Sequence, residues 1–332
     1  MKKIILLINT GTPDGADRRS VGRYLCEFLN DKRVMQLPGL LRFVLVNLII
    51  IPFRLKKSMT LYDRLWTPQG SPLLIYLHRL VDLVGRRFDS STQVYGAMRY
   101  GNPSIGSVLS QIQAAKPDEL VVMPLFPHYA SATTGSVSEA VMQIVRRWPV
   151  IPTMRFVHQF YRHEAFINLF AHRIASYRPQ TFDFILFSYH GLPLQHLADQ
   201  YPGHNPEHCC NLEAMDEHGS YCYRTACYDT TRLLVERLGL NASDTATSFQ
   251  SRLTRNWMAP FSDEVIIGLA KQGKRRILVV APSFVADCLE TIIEIADDYK
   301  SLFISYGGDD LVMVQSLNDL PEWADAVVEI TR

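Results

Sequence analysis

FDFILFSYHGLP, residues 182–193, is the stretch whose reading decides the fold. Its apolar run is continuous rather than alternating, as expected of a parallel strand buried on both faces. It ends on His190, directly before a Gly-Leu-Pro turn. About a hundred residues later RILVVAPSFVADCLET, residues 276–291, repeats the pattern: an apolar run breaks at Pro282 and gives way to a helical pattern carrying Asp287 and Glu290. In open α/β sheets, ligands bind outside the carboxyl ends of the strands. One imidazole and a short row of carboxylates at that edge suit the movement of protons or of a divalent metal.

Further runs of the same kind occur at 3–9, 93–97, 119–124, 151–156, 245–250 and 302–306. Helical patterns lie near 17–29, 73–88, 104–115, 136–147, 161–177, 223–238, 260–272, 286–299 and 321–330. Strands alternating with helices predict parallel sheets with crossover helices. A chain of 332 residues exceeds one ordinary core. The expectation is an α/β protein of two Rossmann-like domains, 1–155 and 156–332, with the last helix folding back onto the first domain.

With 34 basic and 33 acidic side chains the net charge is +1, so no whole-molecule field favours nucleic acid. The amino-terminal KKIILLIN has too short an apolar part for a signal peptide and reads as a first strand. LLRFVLVNLIIIPF, residues 40–53, is too short to span a bilayer. It reads either as a buried helix or as an apolar lip, with Arg54, Lys56 and Lys57 just beyond it.

The turn NTGTPDG at 9–15 matches neither GxxxxGK[ST] nor GxGxxG, which argues against a nucleotide site. In MPLFPHYASATTGS (123–136), Phe126, His128 and Tyr129 offer flat surfaces with polar tips, while Ser131, Thr133 and Thr134 are candidate helix caps. Arg99 and Tyr100 end another strand, and an arginine there could hold a carboxylate. Read as one helix, 286–299 places Asp287, Glu290 and Glu294 three and four apart, the two glutamates beside an apolar stripe. Four of the six cysteines, Cys209, Cys210, Cys222 and Cys227, fall within nineteen residues. Their spacing is that of no common zinc ribbon, yet four thiols suffice for tetrahedral zinc or a [2Fe–2S] cluster.

These motifs together make the sequence resemble the ferrochelatases, enzymes that insert ferrous iron into a porphyrin to make haem. The resemblance runs through LLINTGTP (6–13), YLCEFLNDKRVMQLP (24–38), GSPL (70–73), YGAMRYG (95–101), MPLFPHYASATTGS (123–136), FSYHGLP (187–193), SFQSRL (248–253) and PSFVADCLETIIEI (282–295). It implies two Rossmann-like domains around a porphyrin cleft and a lyase acting on Fe2+ and protoporphyrin IX. By matched position, His190 and Glu290 become the catalytic pair, with Asp287 and Glu294 completing the metal-site row. Thr10, Ser71, Arg99, Tyr100, Tyr129 and Phe284 become porphyrin contacts, and 40–53 the active-site lip, which touches the bilayer in membrane-associated members. Trp257 answers to the family tryptophan after QSR, in altered wording. The cysteine-rich segment 199–227 looks like the insertion that carries [2Fe–2S] in some bacterial members, which makes Cys209, Cys210, Cys222 and Cys227 its implied ligands, with zinc the competing occupant. The implied setting is the cytoplasm, with peripheral contact at the inner membrane. Coproporphyrin as substrate, a cobalt or nickel chelatase of another tetrapyrrole, and a non-catalytic haem or Fe–S binding protein are the alternatives.

Overall fold

The computed structural model describes residues 2–200 and 221–332. The chain divides into two compact units. The first gathers the chain up to Phe126 with Ala130–Gln159 and Asn318–Arg332, and the second Pro127–Tyr129 with Phe160–Leu317.

In the first unit, β1 (Lys3–Thr12), β2 (Thr92–Gly101), β3 (Glu119–Pro124) and β4 (Thr153–Phe156) form a parallel sheet in the order β2-β1-β3-β4. Ile4, Leu6 and Ile8 of β1 enter one core cluster with Val108, Ile112 and Val141 of the crossover helices. The carboxy-terminal helix Pro321–Thr331 belongs to this unit, where the Lys3 ammonium donates to the Thr331 carbonyl at 2.7 Å.

The second unit repeats the plan. Strands β5 (Phe184–His190), β6 (Thr245–Gln250), β7 (Arg276–Val280) and β8 (Asp310–Met313) run parallel in the order β6-β5-β7-β8. In both sheets the chain starts in the interior, moves to one side and then crosses to the other. That reversal falls between β1 and β3 and between β5 and β7, the place beyond whose strand ends sheets of this kind bind ligands.

Three expectations need correction. The run at 302–306 is no strand: Lys300–Ser305 is helical, and β8 begins after Gly307 and Gly308. Phe303 is fully buried in the helix, so the apolar residues there follow a helical face rather than a strand. Residues 286–299 are not one helix. Asp287 precedes it, and Glu290–Tyr299 is wound as a π-helix, whose i→i+5 bonds widen the turn. Ser131–Gly135 is likewise a π-helical turn leading into the helix Ser136–Val145, and neither start carries a side-chain cap.

Residues 40–53 are helical and largely exposed, although Val46 is fully buried. Gly39–Val44, the π-turn Leu45–Ile50 and Ile51–Leu65 follow one another as helix, leaving Leu40 79% and Phe53 82% exposed. No helix among the described residues is long and apolar enough to cross a membrane.

Candidate active site

β5 is buried along its length except at its last residue, His190. The next residue is glycine for a steric reason. A Cβ on Gly191 would stand 2.9 Å from the Gln250 carbonyl oxygen, the same oxygen that accepts the Gly191 N–H at 2.9 Å. The imidazole of His190 is half-buried between the rings of Trp257 and Phe284, each 6.3 Å away by centroid. Its Nδ1 lies 2.7 Å from the Gly191 carbonyl oxygen. A carbonyl only accepts, so Nδ1 carries the hydrogen and the neutral ring keeps its lone pair on Nε2.

Gln250 ends β6 as the register partner of His190 and is almost wholly buried. Its Oε1 accepts from Ser188 Oγ at 2.8 Å, and hydroxyl contacts of 2.8 Å continue from Ser188 through Ser262 to Ser248. With Oε1 fixed, Nε2 points at the acidic helix. It lies 3.4 Å from the Glu290 carbonyl oxygen and 3.3 Å from Glu294 Oε2. Glu294 also accepts from Ser251 N at 2.8 Å, Ser251 Oγ at 2.5 Å and Tyr299 Oη at 2.9 Å. Ser251 makes both of its bonds from a left-handed backbone, φ 64°, a conformation that costs a non-glycine residue and concentrates at functional sites. Burial, and next the negative charge of Glu294, push the Tyr299 phenol far above its usual range, so it stays a donor.

Glu290 opens the π-helix, with the buried thiol of Cys288 in hydrogen-bond reach. Burial first, and then the Glu290 carboxylate, keep that thiol protonated. Asp287 faces a different neighbour: its Oδ1 accepts the Ser316 N–H at 3.1 Å, beyond the end of β8. The structure thus joins Glu290 and Glu294 through Gln250 and sets Asp287 on another partner. Among the described residues no three His, Cys, Asp or Glu side chains converge as a metal cage.

His128 is a core residue rather than a flat surface for a ligand. Thr230 Oγ1 donates to the Ala226 carbonyl at 2.7 Å and therefore accepts from His128 Nε2 at 2.9 Å. Tyr161 stacks on the ring, Tyr189 and Tyr223 meet its edge, and burial lowers its pKa to about 3. Its neighbour Tyr129 is half-buried and packs edge-on against Tyr221.

In the first unit, Thr10 lies near the carboxyl end of β1, and Ser71 Oγ is buried against Thr12 Oγ1 at 2.9 Å. Arg99 holds no free charge. Its Nη2 pairs with Asp31 Oδ2 at 2.5 Å and its Nε donates to Ser136 Oγ at 2.6 Å. Tyr100 Oη and Ser136 Oγ donate to the same carboxylate oxygen, at 2.8 and 2.5 Å. Burial opposes the charge on Asp31, yet the bonds from Ser136, the Arg33 amide and Tyr100, with the Arg99 charge, hold its pKa below the ordinary carboxylate value.

Cys222 and Cys227 are buried, Cys222 at the start of helix Tyr223–Leu238 and Cys227 within it. Cys209 and Cys210 lie outside the described residues.

Two four-stranded parallel sheets of this kind are also found in solved chelatases. The whole chain superposes on SirB from Bacillus subtilis with Fe3+ at a TM-score of 0.56 and 12% identity, covering 99% of this chain and 94% of that one. The sirohydrochlorin chelatase SirB from Bacillus subtilis subspecies spizizenii in complex with cobalt gives 0.55 and 11%, covering 100% and 94%. At such identities the likeness concerns the fold alone.

Sequence comparison is sharper. The ferrochelatase family model matches residues 2–332. A ferrochelatase of Legionella pneumophila is 38% identical over 336 residues, covering 100% of this chain and 99% of the relative. One of Coxiella burnetii is 37% identical over 337 residues, covering 99% and 92%. The chain belongs to the ferrochelatase family.

Sequence reasoning passed over Gln250, Ser251 and Tyr299 as site residues. Gln250 was within reach of the strand-end argument that singled out His190, because β6 ends opposite β5. The contact of Tyr299 with Glu294 depends on the wider π-turn, which residue periodicity does not announce.

Proposed function

We propose that, in the ferrochelatase reaction, His190 Nε2 takes the pyrrole protons and the Glu290–Glu294 side of the site handles Fe2+ or passes protons on. The overall chemistry is that of the family: Fe2+ enters protoporphyrin, two N–H protons leave, and haem is formed. The observation that carries the assignment is the 2.7 Å contact between Nδ1 and the Gly191 carbonyl, which leaves Nε2 as the ring's acceptor. The lone pair takes one proton at a time. Each N–H bond that breaks gives its proton to Nε2 and leaves its electrons on the pyrrole nitrogen. The imidazolium hands that proton to the carboxylates or to solvent before the second is taken, so that two nitrogen–iron bonds replace two nitrogen–hydrogen bonds.

Glu294, already accepting four hydrogen bonds, is held as a fixed charge that attracts a cation without enclosing it. Glu290 stands next to it with its carbonyl in reach of the Gln250 amide. A loose oxygen set suits an ion in transit, whereas an all-thiolate or rigid imidazole cage would retain it. Asp287 has its place at the base of this helix. Thr10, Tyr129 and Phe284 are proposed to touch the porphyrin, and Phe284 is supported by its ring beside His190. Ser71, Arg99 and Tyr100 are proposed to shape the porphyrin wall, their polar groups being engaged within the protein.

The cysteine-rich segment is proposed to hold a [2Fe–2S] cluster, with zinc the competing occupant. Cys222 and Cys227 would supply two of its thiolates, and the segment with Cys209 and Cys210 the others. The buried sulfurs at the start of one helix agree with such a group, though burial keeps Cys227 a neutral thiol until a metal displaces its proton. When bound, the cluster would supply redox-sensitive cross-linking of this segment. Its test is the visible spectrum and acid-labile sulfide of anaerobically purified protein.

The exposed apolar residues of 40–53 are proposed to rest against a membrane surface, which would make the protein peripheral. Leu40, Phe43, Leu48 and Phe53 give that segment its greasy side, and Arg54, Lys56 and Lys57 follow. The function as a whole is tested by anaerobic insertion of Fe2+ into protoporphyrin, read by the change in porphyrin absorbance. Its activity should exceed that with coproporphyrin.

A further inference from the structure

The peptide groups of His190 have lost a strand to bond to. β7 pairs with β5 only as far as Phe187 opposite Val280. Continued at the same offset, the ladder would set Ser283 across from His190, but Pro282 and the turn after it have ended β7. A side chain takes over from the backbone there: His190 N–H donates to Ser283 Oγ at 3.3 Å. On the other side of the same residue, Tyr223 Oη donates to the His190 carbonyl at 2.8 Å. Ser283 also lies in hydrogen-bond reach of Tyr223, as does the Cys227 thiol. Two hydroxyls thus take both backbone groups of His190: Ser283 accepts from its N–H and Tyr223 donates to its C=O.

We infer that Tyr223 and Ser283 are positioning residues, a two-hydroxyl clamp that fixes the His190 peptide and thereby aims Nε2. The inference rests on the reading of His190 as the proton acceptor. Both hydroxyls bond to the His190 backbone rather than to its imidazole. The clamp works because the ring's own anchor, the Gly191 carbonyl, belongs to the next peptide; turning the His190 peptide would turn that anchor too. Tyr223 is held in its turn. Its ring lies in the aromatic packing around His128, at 5.9 Å, and it begins the helix Tyr223–Leu238. With both of its backbone groups held by side chains, His190 is loosened when either hydroxyl is removed.

The test is steady-state anaerobic Fe2+ insertion by the full chain, with porphyrin affinity measured separately by fluorescence quenching. The variants are Tyr223→Phe, Ser283→Ala, Ser283→Thr and the double Tyr223→Phe/Ser283→Ala. A misaimed catalytic group loses rate rather than affinity, so each hydroxyl deletion should lower kcat by about tenfold to a hundredfold, leaving porphyrin KM and affinity unchanged. Ser283→Thr, which keeps a hydroxyl, should restore most of the rate. Because both deletions release the same residue, the double variant should be no slower than the slower single. Wild-type kcat in both single variants would overturn the inference. So would rate and affinity falling together, or single effects that multiply in the double variant. His190→Ala separates the two levels: if it is inactive while the clamp variants turn over normally, only the clamp fails. If His190→Ala is itself fully active, the reading beneath it fails.

Discussion

Gln250 stands opposite His190 in the β5–β6 ladder, and its side-chain amide reaches Glu294 at 3.3 Å. One buried residue thus connects the strand end that carries the imidazole with the helix that carries the acids. Its orientation is set from behind by Ser188, which donates to Oε1 at 2.8 Å. Replacing Gln250 by Leu removes the donor to Glu294 and leaves Ser188 without its acceptor. The expected result is a kcat lower by about tenfold, equivalent to about 1.4 kcal/mol of transition-state stabilisation. Gln250→Glu should be worse, because it places a second carboxylate against Glu294. Kinetics of Fe2+ insertion in the two variants check this order.

His128 predicts an acid sensitivity with no link to catalysis. Its folded pKa is depressed to about 3 by burial, while an unfolded histidine titrates at about 6.5. Above the unfolded value both states are neutral and the group is silent. Below it the unfolded chain binds a proton that the folded protein refuses, so stability falls as pH drops towards 3. Between pH 8 and pH 5 this one group should cost about 2 kcal/mol. His128→Gln, which can still donate to Thr230, should flatten that part of the profile. Urea unfolding at the two pH values measures the difference.

Asp31 is the partner that Arg99 requires. The carboxylate is held below its ordinary pKa, so its contribution is present above the unfolded value of about 3.8 and is lost as pH falls through the folded one. Asp31→Asn leaves the Arg99 guanidinium without its counter-charge and weakens the bonds from Tyr100 and Ser136. A loss of about 3 kcal/mol in stability at neutral pH is expected, by analogy with other broken buried pairs. A double-mutant cycle with Arg99→Met, read by thermal or urea unfolding, isolates the pair.

Most of the architecture was legible because parallel strands buried on both faces leave continuous apolar runs, and β1, β3, β5 and β7 each show one. The place of His190 at the end of such a run was legible for the same reason. The short strand β8 was misplaced into Lys300–Ser305, whose apolar residues serve a helix. Three features hid in plain sequence. The π-turns do not alter residue type, so Asp287 was placed on a helix that begins after it. The pairing of Arg99 with Asp31 spans 68 residues, and no local pattern announces it. His128 looked available because it follows a proline turn, whereas the fold closes four aromatic and hydroxyl side chains around it.

The exposed helix 39–65 makes a prediction about surfaces. Leu40→Ser, Phe43→Ser and Phe53→Ser remove three apolar side chains that contribute little to the core. The triple variant should sediment less with anionic phospholipid vesicles while its melting temperature holds. Equal sedimentation of variant and parent would remove the membrane role.

The most direct measurement is anaerobic Fe2+ insertion into protoporphyrin by His190→Ala, with porphyrin binding followed in the same samples. Loss of the proton acceptor predicts that kcat falls by at least about a hundredfold while the porphyrin binds as tightly as before. Turnover at the parent rate would contradict the account, because protons would then be leaving the macrocycle by a route that does not pass through Nε2.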